Sequence, residues 1–228
     1  MTGESLLSLL QFADGLFPAG AYAHSFGLET YVEAGHVREV GAVEEFVRAH
    51  LCAAGATDVV AAVNTLRAAS AQDLASCLEF DEILEAMKPA AELRDASRQL
   101  GRQTLRVTAA LLHDPVTQRF SKLADENRTP CHHAIVYGIA GAAQRWNPGD
   151  AAQGYLYASA SGVVAAALRL IPLGQLQAQM IIRNVMPLIN SLAQEALDIR
   201  ISEMGAFAPG LEIAAMRHER LQARLFRS

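Results

Sequence analysis

Apolar side chains recur with the period of an α-helix along most of the chain. Val43, Phe46, Val47, His50 and Leu51 follow the spacing i, i+3, i+4, i+7, i+8, which places them on one face of a helix. No run of about four to eight residues alternates apolar and polar positions with β-branched side chains, as a strand would. The pattern therefore predicts an all-α protein with no sheet.

Prolines, glycines and capping residues divide this pattern into about ten helices. Thr57 is expected to cap a helix, Pro89 and Pro115 to open helices, and residues 147–150 to form a turn. Pro187 lies inside a long apolar segment, where we expect a kink or a break. After a short first helix, the predicted helices span residues 25–34, 43–55, 58–69, 72–87, 89–112, 115–125, 131–146, 151–170, 172–197 and 211–225.

The connections between these helices are short, and there is no Gly/Ser-rich linker or internal repeat. Short connections favour antiparallel neighbours in one bundle, so residues 1–228 are expected to form a single helical domain. Residues 13–24 lack helical periodicity and are rich in Gly, Ala and Pro, which suits either a functional loop or a plain connector. We expect residues 1–24 and 221–228 to be flexible or ordered by a partner.

Composition indicates how closely the helices pack and whether any of them crosses a membrane. Hydrophobic residues make up 51% of the chain but aromatic residues only 6%, which favours helices packed closely through small side chains. Residues 151–171 are apolar enough to raise the question of a membrane span, but their Gln, Gly and Ser residues fit a buried core helix better. We expect no membrane segment, and no signal peptide in residues 1–11, which lack a basic start.

Charge and cysteine usage exclude several classes of partner. The net charge is −5 and no basic tract occurs, so nucleic acid is not expected as a partner. Cys52, Cys77 and Cys131 are odd in number, widely separated and without a C-x-x-C pair. This pattern argues against a disulfide framework or a structural zinc site, and free thiols suit the cytoplasm.

The motifs that usually carry catalysis are missing. Neither Lys88 nor Lys122 follows a glycine-rich turn, so a phosphate-binding loop is absent, and G-x-G-x-x-G, G-x-S-x-G and H-E-x-x-H do not occur. No nucleophile, base and oxyanion site can be assembled from neighbouring residues. The sequence thus predicts a protein that is not an enzyme, needs no cofactor and works by binding other proteins.

One cluster has the chemistry of a metal site. Thiolate and imidazole in Cys131, His132 and His133 suit nickel, zinc or copper. Adjacent residues of a regular helix point about 100° apart, which hinders shared coordination, although the start of a helix relaxes this restriction. The alternative is a half-buried histidine pair that bonds to carbonyl or carboxylate oxygens.

Two basic features suit an interface. Arg94, Arg98, Arg102 and Arg106 recur every four residues and form a ridge, which is either a solvated face or a surface for carboxylates. The last residues, 217–228, combine arginines with leucine and phenylalanine. Such an apolar segment either docks on its own chain or binds a partner.

Five segments together resemble the urease accessory protein UreF family. Residues 18–29 match the pattern P-x-G-x-[FY]-x-x-S-x-G-L-E, with His24 where many members carry Tyr, and residues 94–102 match R-x-x-S-x-x-x-G-R. Residues 132–138 resemble the family's H-x-x-x-x-x-G helix start, residues 169–175 its R-L-x-x-L-G-Q turn, and residues 224–228 its R-L-F-x-S ending. These segments cover essentially the whole chain in the family's order.

The resemblance implies an all-α homodimer in the cytoplasm that binds the accessory protein UreD (also called UreH). It also implies that the pair recruits the GTPase UreG to apo-urease for nickel insertion and modulates GTP hydrolysis. The alternative is a metallochaperone that itself carries nickel on Cys131, His132 or His133. The residues expected either to contact partners or to pack within the chain are Pro18, Gly20, Tyr22, His24, Ser25, Gly27, Glu29, Arg224, Leu225, Phe226, Arg227 and Ser228.

Overall fold

A computed structural model describes residues 3–228, with Ala21 as main chain only, and within this range there are helices and no strand. The all-α class is confirmed. The helices are α1 (Gly3–Ala13), α2 (Leu28–Glu33), α3 (Val40–Ala56), α4 (Asp58–Ser70), α5 (Leu74–Met87), α6 (Ala91–Leu111), α7 (Pro115–Asp125), α8 (His133–Ala143), α9 (Pro148–Leu170), α10 (Gln175–Asp198) and α11 (Pro209–His218), with 3-10 turns at Ala21–Ala23 and Ile201–Glu203.

Helices α4 and α8 pack against each other at the centre of the bundle. Every residue of α8 from Ala134 to Gly141 is buried. Their close approach depends on Gly138, because a Cβ atom there would lie 2.5 Å from the carbonyl oxygen of Ala62. Around this pair, α9 packs against α3 and α10 on one side, and α5 and α6 cover the other.

Three predicted boundaries differ from the structure for local reasons. Helix α3 continues through Gly55, whose Cβ position lies only 3.1 Å from the Cβ of Leu192, so the glycine serves close packing and does not end the helix. Thr57 does not cap α4, because its hydroxyl donates to the carbonyl of Ala53 at 2.7 Å. Residues 147–150 are the start of α9: Asn147 Oδ1 accepts the amides of the first turn.

Two later helices differ in part from the prediction. Helix α10 continues through Pro187, so of the expected kink or break the break does not occur; Pro187 lies on the exposed side, where the carbonyl left without an amide partner can face water. Helix α11 ends at His218 and does not extend to residue 225. The residues after it leave the helix direction and run back along the body of the chain.

A buried carboxylate holds the segment that leads into α8. Asp81 of α5 accepts hydrogen bonds from the amides of Cys131 at 2.6 Å and His132 at 2.9 Å, and from the hydroxyl of Thr129. Gly101 of α6 lies against this segment, where a Cβ atom would be 1.9 Å from the carbonyl oxygen of Cys131. These contacts explain why α8 begins at His133 and not at residue 131 as predicted.

The arginine ridge of α6 mostly binds its own chain. Arg94 donates to the carbonyl of Lys88 at 2.8 Å, Arg98 forms an ion pair with Glu85, and Arg102 donates to the carbonyl of Ala124 at 3.0 Å. The ridge therefore ties α6 to the neighbouring helices α5 and α7.

One stretch, Val40–Ser70, has the length and the apolar composition of a membrane span, with a mean hydropathy of 1.4 in its most apolar window. In the structure this stretch comprises α3 and α4, interrupted at Thr57, and 56% of the window is buried inside the protein. A core helix gives the same pattern. Residues 151–171, the segment considered from the sequence, form the packed helix α9.

Candidate partner-binding face

The loop between α1 and α2, residues 14–27, takes its shape from glycines and short turns. The side chain of Asp14 accepts the amide of Leu16 at 2.8 Å and begins the first turn. Gly20 and Gly27 have φ values of 86° and 88°, in the left-handed region that favours glycine. Ser25 Oγ accepts the amide of Glu29, in the first turn of α2, at 3.3 Å, while the N-cap position of that helix is Gly27.

The tail, residues 219–228, lies along this loop. The main-chain oxygen of Ser228 accepts the amide of Ser25 at 2.6 Å and its hydroxyl at 2.8 Å. The amide of Arg227 donates to the carbonyl of Ala23 at 2.9 Å, and the side chains of His24 and Ser228 meet at 2.9 Å. Segments about 200 residues apart in the sequence thus form one hydrogen-bonded unit.

Glu29 is the main anchor of the tail. Its buried carboxylate accepts the amide of Leu225 at 2.7 Å and that of Phe226 at 3.1 Å. The same carboxylate lies 2.8 Å from Nε2 of His218, the last residue of α11. The other ring nitrogen of His218 lies 2.7 Å from Glu92 of α6, which also binds Arg224 at 2.8 Å. Polar contacts therefore connect the tail to α2, α6 and α11.

Phe226 supplies the apolar contact. Its ring is only 4% exposed and belongs to the hydrophobic core, and the guanidinium carbon of Arg169 lies 4.3 Å from the ring centroid. Arg169 also donates to the carbonyl of Tyr22 at 3.0 Å. This arginine at the end of α9 holds tail and loop together through a cation–π contact and a hydrogen bond.

The twelve predicted partner-contact residues lie in this loop, at the start of α2 and in the tail, and the structure separates them by burial, with Gly20 half-buried. His24, Ser25, Gly27, Glu29, Phe226 and Ser228 are buried between loop, tail and α11. Tyr22 is 75% exposed and Leu225 53% exposed, and Pro18, Arg224 and Arg227 also face outwards. We call these five outward residues the loop–tail face. They combine an aromatic ring and aliphatic surface with two guanidinium groups, a composition enriched at protein interfaces.

Of the segments predicted to be flexible or ordered by a partner, residues 3–13 form α1 and residues 221–228 bind the chain's own loop. Met1 and Thr2 lie outside the described residues. Ordering by a partner stays a prediction. Glu92, Arg169 and His218 also belong to this site but were not predicted as site residues. Glu92 is remote in sequence from the loop and the tail, and neither the motif at residues 169–175 nor the segment 217–228 indicated which contacts Arg169 and His218 would make.

Burial keeps the histidine of the loop neutral. Burial, and after it the positive charge of Arg227, lowers the pKa of His24 to about 4. At neutral pH the uncharged imidazole can form a hydrogen bond with the Ser228 hydroxyl without adding a further positive charge beside Arg227.

The metal-site candidates do not converge. His132 uses both ring nitrogens, at 3.0 Å from Ser97 Oγ and 2.9 Å from Glu85, while His133 lies 3.4 Å from the hydroxyl of Tyr155. Burial raises the pKa of the Cys131 thiol to about 12, which disfavours the thiolate that a metal needs. Between residues 3 and 228 no group of three or more His, Cys, Asp or Glu side chains is placed to hold a metal ion.

Comparison with known proteins points to one family. A family model described as UreF matches residues 37–186. A urease accessory protein UreF from Bacillus sp. (strain TB-90) is 32% identical over 227 residues, 98% of this chain and 99% of the relative. Relatives of the same description from Nostoc sp. (strain PCC 7120) and Thermosynechococcus vestitus are 33% and 31% identical, and each alignment covers 100% of this chain and 98% or more of the relative.

Proposed function

Because the chain belongs to the UreF family of urease accessory proteins, we propose that it is a non-catalytic adaptor in urease maturation. In this proposal it binds UreD/UreH and recruits the GTPase UreG to apo-urease for nickel insertion, and it modulates the hydrolysis of GTP by UreG. It acts in the cytoplasm without a cofactor of its own and does not bind nucleic acid. The three free cysteines suit that compartment.

The loop–tail face is the observation that carries the proposal. An exposed aromatic ring, an exposed leucine and two exposed arginines lie on a backbone fixed by buried hydrogen bonds. A surface that is already ordered loses less conformational entropy on binding than a flexible tail would. Aromatic and arginine side chains are also the residues that most often dominate binding energy.

Measured affinities for purified UreD and UreG test this assignment. We expect Leu225→Ala and Tyr22→Ala each to weaken binding of at least one of the two proteins about fivefold or more, since an anchor contributes at least ~1 kcal/mol. Leu111→Ala is the matched control, because Leu111 is 52% exposed at the end of α6, away from the loop and tail. Unchanged affinities for both variants would remove the face from the proposal, and failure of the intact chain to bind either protein would refute the adaptor role.

The effect on nucleotide hydrolysis needs its own measurement. GTP turnover by UreG is compared alone, with UreD, and with UreD plus this chain. A change that appears only when this chain is present supports modulation of hydrolysis. An identical rate in all three mixtures would contradict it while leaving the adaptor role in place.

A homodimer is supported by apolar side chains left in solvent. Leu7 and Leu10 of α1 and Leu176 and Met180 of α10 are exposed, and both helices pack against α9, where Tyr157 is also exposed. Exposed apolar side chains of this kind are candidates for a subunit contact. Light scattering should give twice the chain mass, reduced to the single mass by Met180→Glu but not by Leu111→Glu. A monomer in the wild type would rule out the dimer.

A further inference from the structure

The end of the tail is bound in the way that a recognition cleft binds an extended peptide. Residues 225–228 offer three amides and one main-chain oxygen to the body of the protein. The first two amides donate to the carboxylate of Glu29, the third donates to the carbonyl of Ala23 at 2.9 Å, and the oxygen accepts the amide of Ser25 at 2.6 Å. In peptide recognition such main-chain bonds supply affinity, while pockets for single side chains supply specificity.

Two side chains of the tail are recognised individually. The ring of Phe226 is 4% exposed and lies 4.3 Å from the guanidinium carbon of Arg169. Arg224 donates to Glu92 at 2.8 Å, and this carboxylate belongs to α6, outside the loop. Leu225, between the two recognised residues, is 53% exposed. The contacts therefore select an arginine and, two residues later, a phenylalanine.

The connection between α11 and the docked residues is exposed. Helix α11 ends at His218, and the amides of Arg220 and Leu221 donate to carbonyls in its last turn. In residues 219–223 the side chains are exposed, apart from the half-buried Leu221. These five residues act as a tether that keeps the docked segment, residues 224–228, beside its binding site.

We propose that this binding site, the tail cleft, is a receptor for an extended protein segment with an arginine two residues before a phenylalanine. The tail is its intramolecular ligand, and a segment of another protein with the same chemistry displaces the tail. Displacement removes Leu225 from the loop–tail face, so occupancy of the cleft regulates that face. This consequence rests on the proposed function, whereas binding of the segment does not. The tail cleft is lined by Ala23, Ser25, Glu29, Glu92 and Arg169.

The intramolecular contact sets the affinity expected for a free segment. A short flexible tether gives the tail an effective concentration on the order of 1 mM at the cleft. A tail that is docked for more than about nine-tenths of the time then corresponds to a dissociation constant of about 0.1 mM or less for the same segment as a free peptide. In the full chain the docked tail competes, so the apparent affinity falls with the fraction of open clefts.

Fluorescence anisotropy of a dye-labelled synthetic peptide of residues 219–228, titrated with the full-length chain, tests the site. The Phe226→Ala chain, whose own tail docks less tightly, should bind the peptide at least about fivefold more tightly than the wild type does. Arg224→Ala, which keeps the buried ring, should give a smaller increase, so the result does not depend on one variant in the core. Arg220→Ala in the exposed tether is the matched control and should bind the peptide as the wild type does.

Peptide variants test whether the cleft recognises the segment itself. The Phe226→Ala peptide should bind the Phe226→Ala chain at least about tenfold more weakly, because it lacks the buried ring. The Leu225→Ala peptide should bind unchanged, because Leu225 is exposed. Equal affinity for the Phe226→Ala and wild-type chains, no binding below about 1 mM, or equal binding of the Phe226→Ala peptide would overturn the proposal.

The source of the docked tail is tested by amide exchange of Phe226 at several protein concentrations. Protection should not depend on concentration, since the ligand belongs to the same chain. Protection that rises with concentration would show that a second copy supplies the tail and would overturn the intramolecular assignment. A chain that binds UreD or UreG but not the peptide refutes this inference and leaves the adaptor role in place.

Discussion

Replacing Gly101 by alanine tests the glycine whose Cβ position lies nearest to the main chain of another segment. The new Cβ would lie 1.9 Å from the carbonyl oxygen of Cys131 and 2.8 Å from the carbonyl carbon of His132. Main-chain atoms cannot rotate away as a flexible side chain can. The segment is also held in place, because Asp81 accepts both of its amides and the hydroxyl of Thr129.

The magnitude follows from three contributions. Overpacking of this kind costs ~1–3 kcal/mol, and displacing a buried amide from its acceptor costs ~1–3 kcal/mol more. Alanine recovers ~1 kcal/mol through its higher helix propensity. The net loss in the free energy of unfolding is therefore about 1–5 kcal/mol. For a chain of this size that corresponds to a fall in Tm of about 2–20 °C.

Urea and thermal unfolding at one fixed protein concentration measure this loss. Gly41→Ala is the control, since Gly41 is an exposed residue in the first turn of α3 and its Cβ position has no neighbour within 4 Å. We expect that variant to be unchanged or up to about 1 kcal/mol more stable. A Gly101→Ala protein as stable as the wild type would show that the segment before α8 can move, contrary to the role assigned to Asp81.

Three further predictions concern the tail, its histidine and the thiols. Phe226→Ala should lower amide protection in the tail about ten- to a hundredfold, since burying such a ring contributes ~1.5–3 kcal/mol, and it should lower the free energy of global unfolding by no more than the same amount; equal protection in both proteins would contradict this. The pKa of His24 is lowered to about 4, so between about pH 6.5 and 4 the unfolded state binds a proton that the folded state does not. The free energy of unfolding should therefore fall as the pH drops through this range, by up to ~1.4 kcal/mol per pH unit. In urea titrations His24→Gln should reduce this slope and exposed His36→Gln should not. Iodoacetamide followed by mass spectrometry should modify only exposed Cys52 in the native protein and all three cysteines after unfolding, and modification of a second thiol under native conditions would refute the burial of the other two.

Helices were predictable from sequence because their signals are local. Pro115 begins α7 as predicted, and the cap of that helix, Asp114, immediately precedes it. The errors lie where a distant contact overrides the local signal. The sequence predicts a helix end at Gly55, but this glycine lies within α3 and permits contact with Leu192. The sequence predicts that Cys131 is helical, but its φ of 69° and its hydrogen bond to Asp81 place it before the helix.

The candidate site was predictable as a list of residues but not as a structure. The family motifs name the loop and the tail, and the structure places them side by side. His218 and Glu92 could not be found in this way, because a buried histidine between two carboxylates leaves no periodic or motif signal. For Cys131, His132 and His133 the sequence left a metal site and a half-buried histidine pair open, and in the fold these three neighbours in sequence contact different partners.

Part of the α6 motif is explained by packing and not by partner contact. Ser97 lies 3.0 Å from a ring nitrogen of His132, Gly101 admits the carbonyl of Cys131, and Arg102 binds the end of α7. The spacing R-x-x-S-x-x-x-G-R thus reflects the packing of α6 against α7 and the segment before α8. A family motif can therefore reflect packing within one chain.

The tail is bound to the body of the protein through its main chain, and several of its side chains remain exposed. Glu29 and the loop bind mainly the amides of residues 225–227 and the main-chain oxygen of Ser228, whereas the side chains of Leu225 and Arg227 remain exposed. Substitutions at those exposed positions can change what the tail offers to a partner without moving it, while a proline at 225 would remove a hydrogen-bond donor. Docking of the tail is therefore largely insensitive to the identity of the exposed residues, and under the proposed adaptor function the side chains offered to a partner can change while the backbone contacts stay the same.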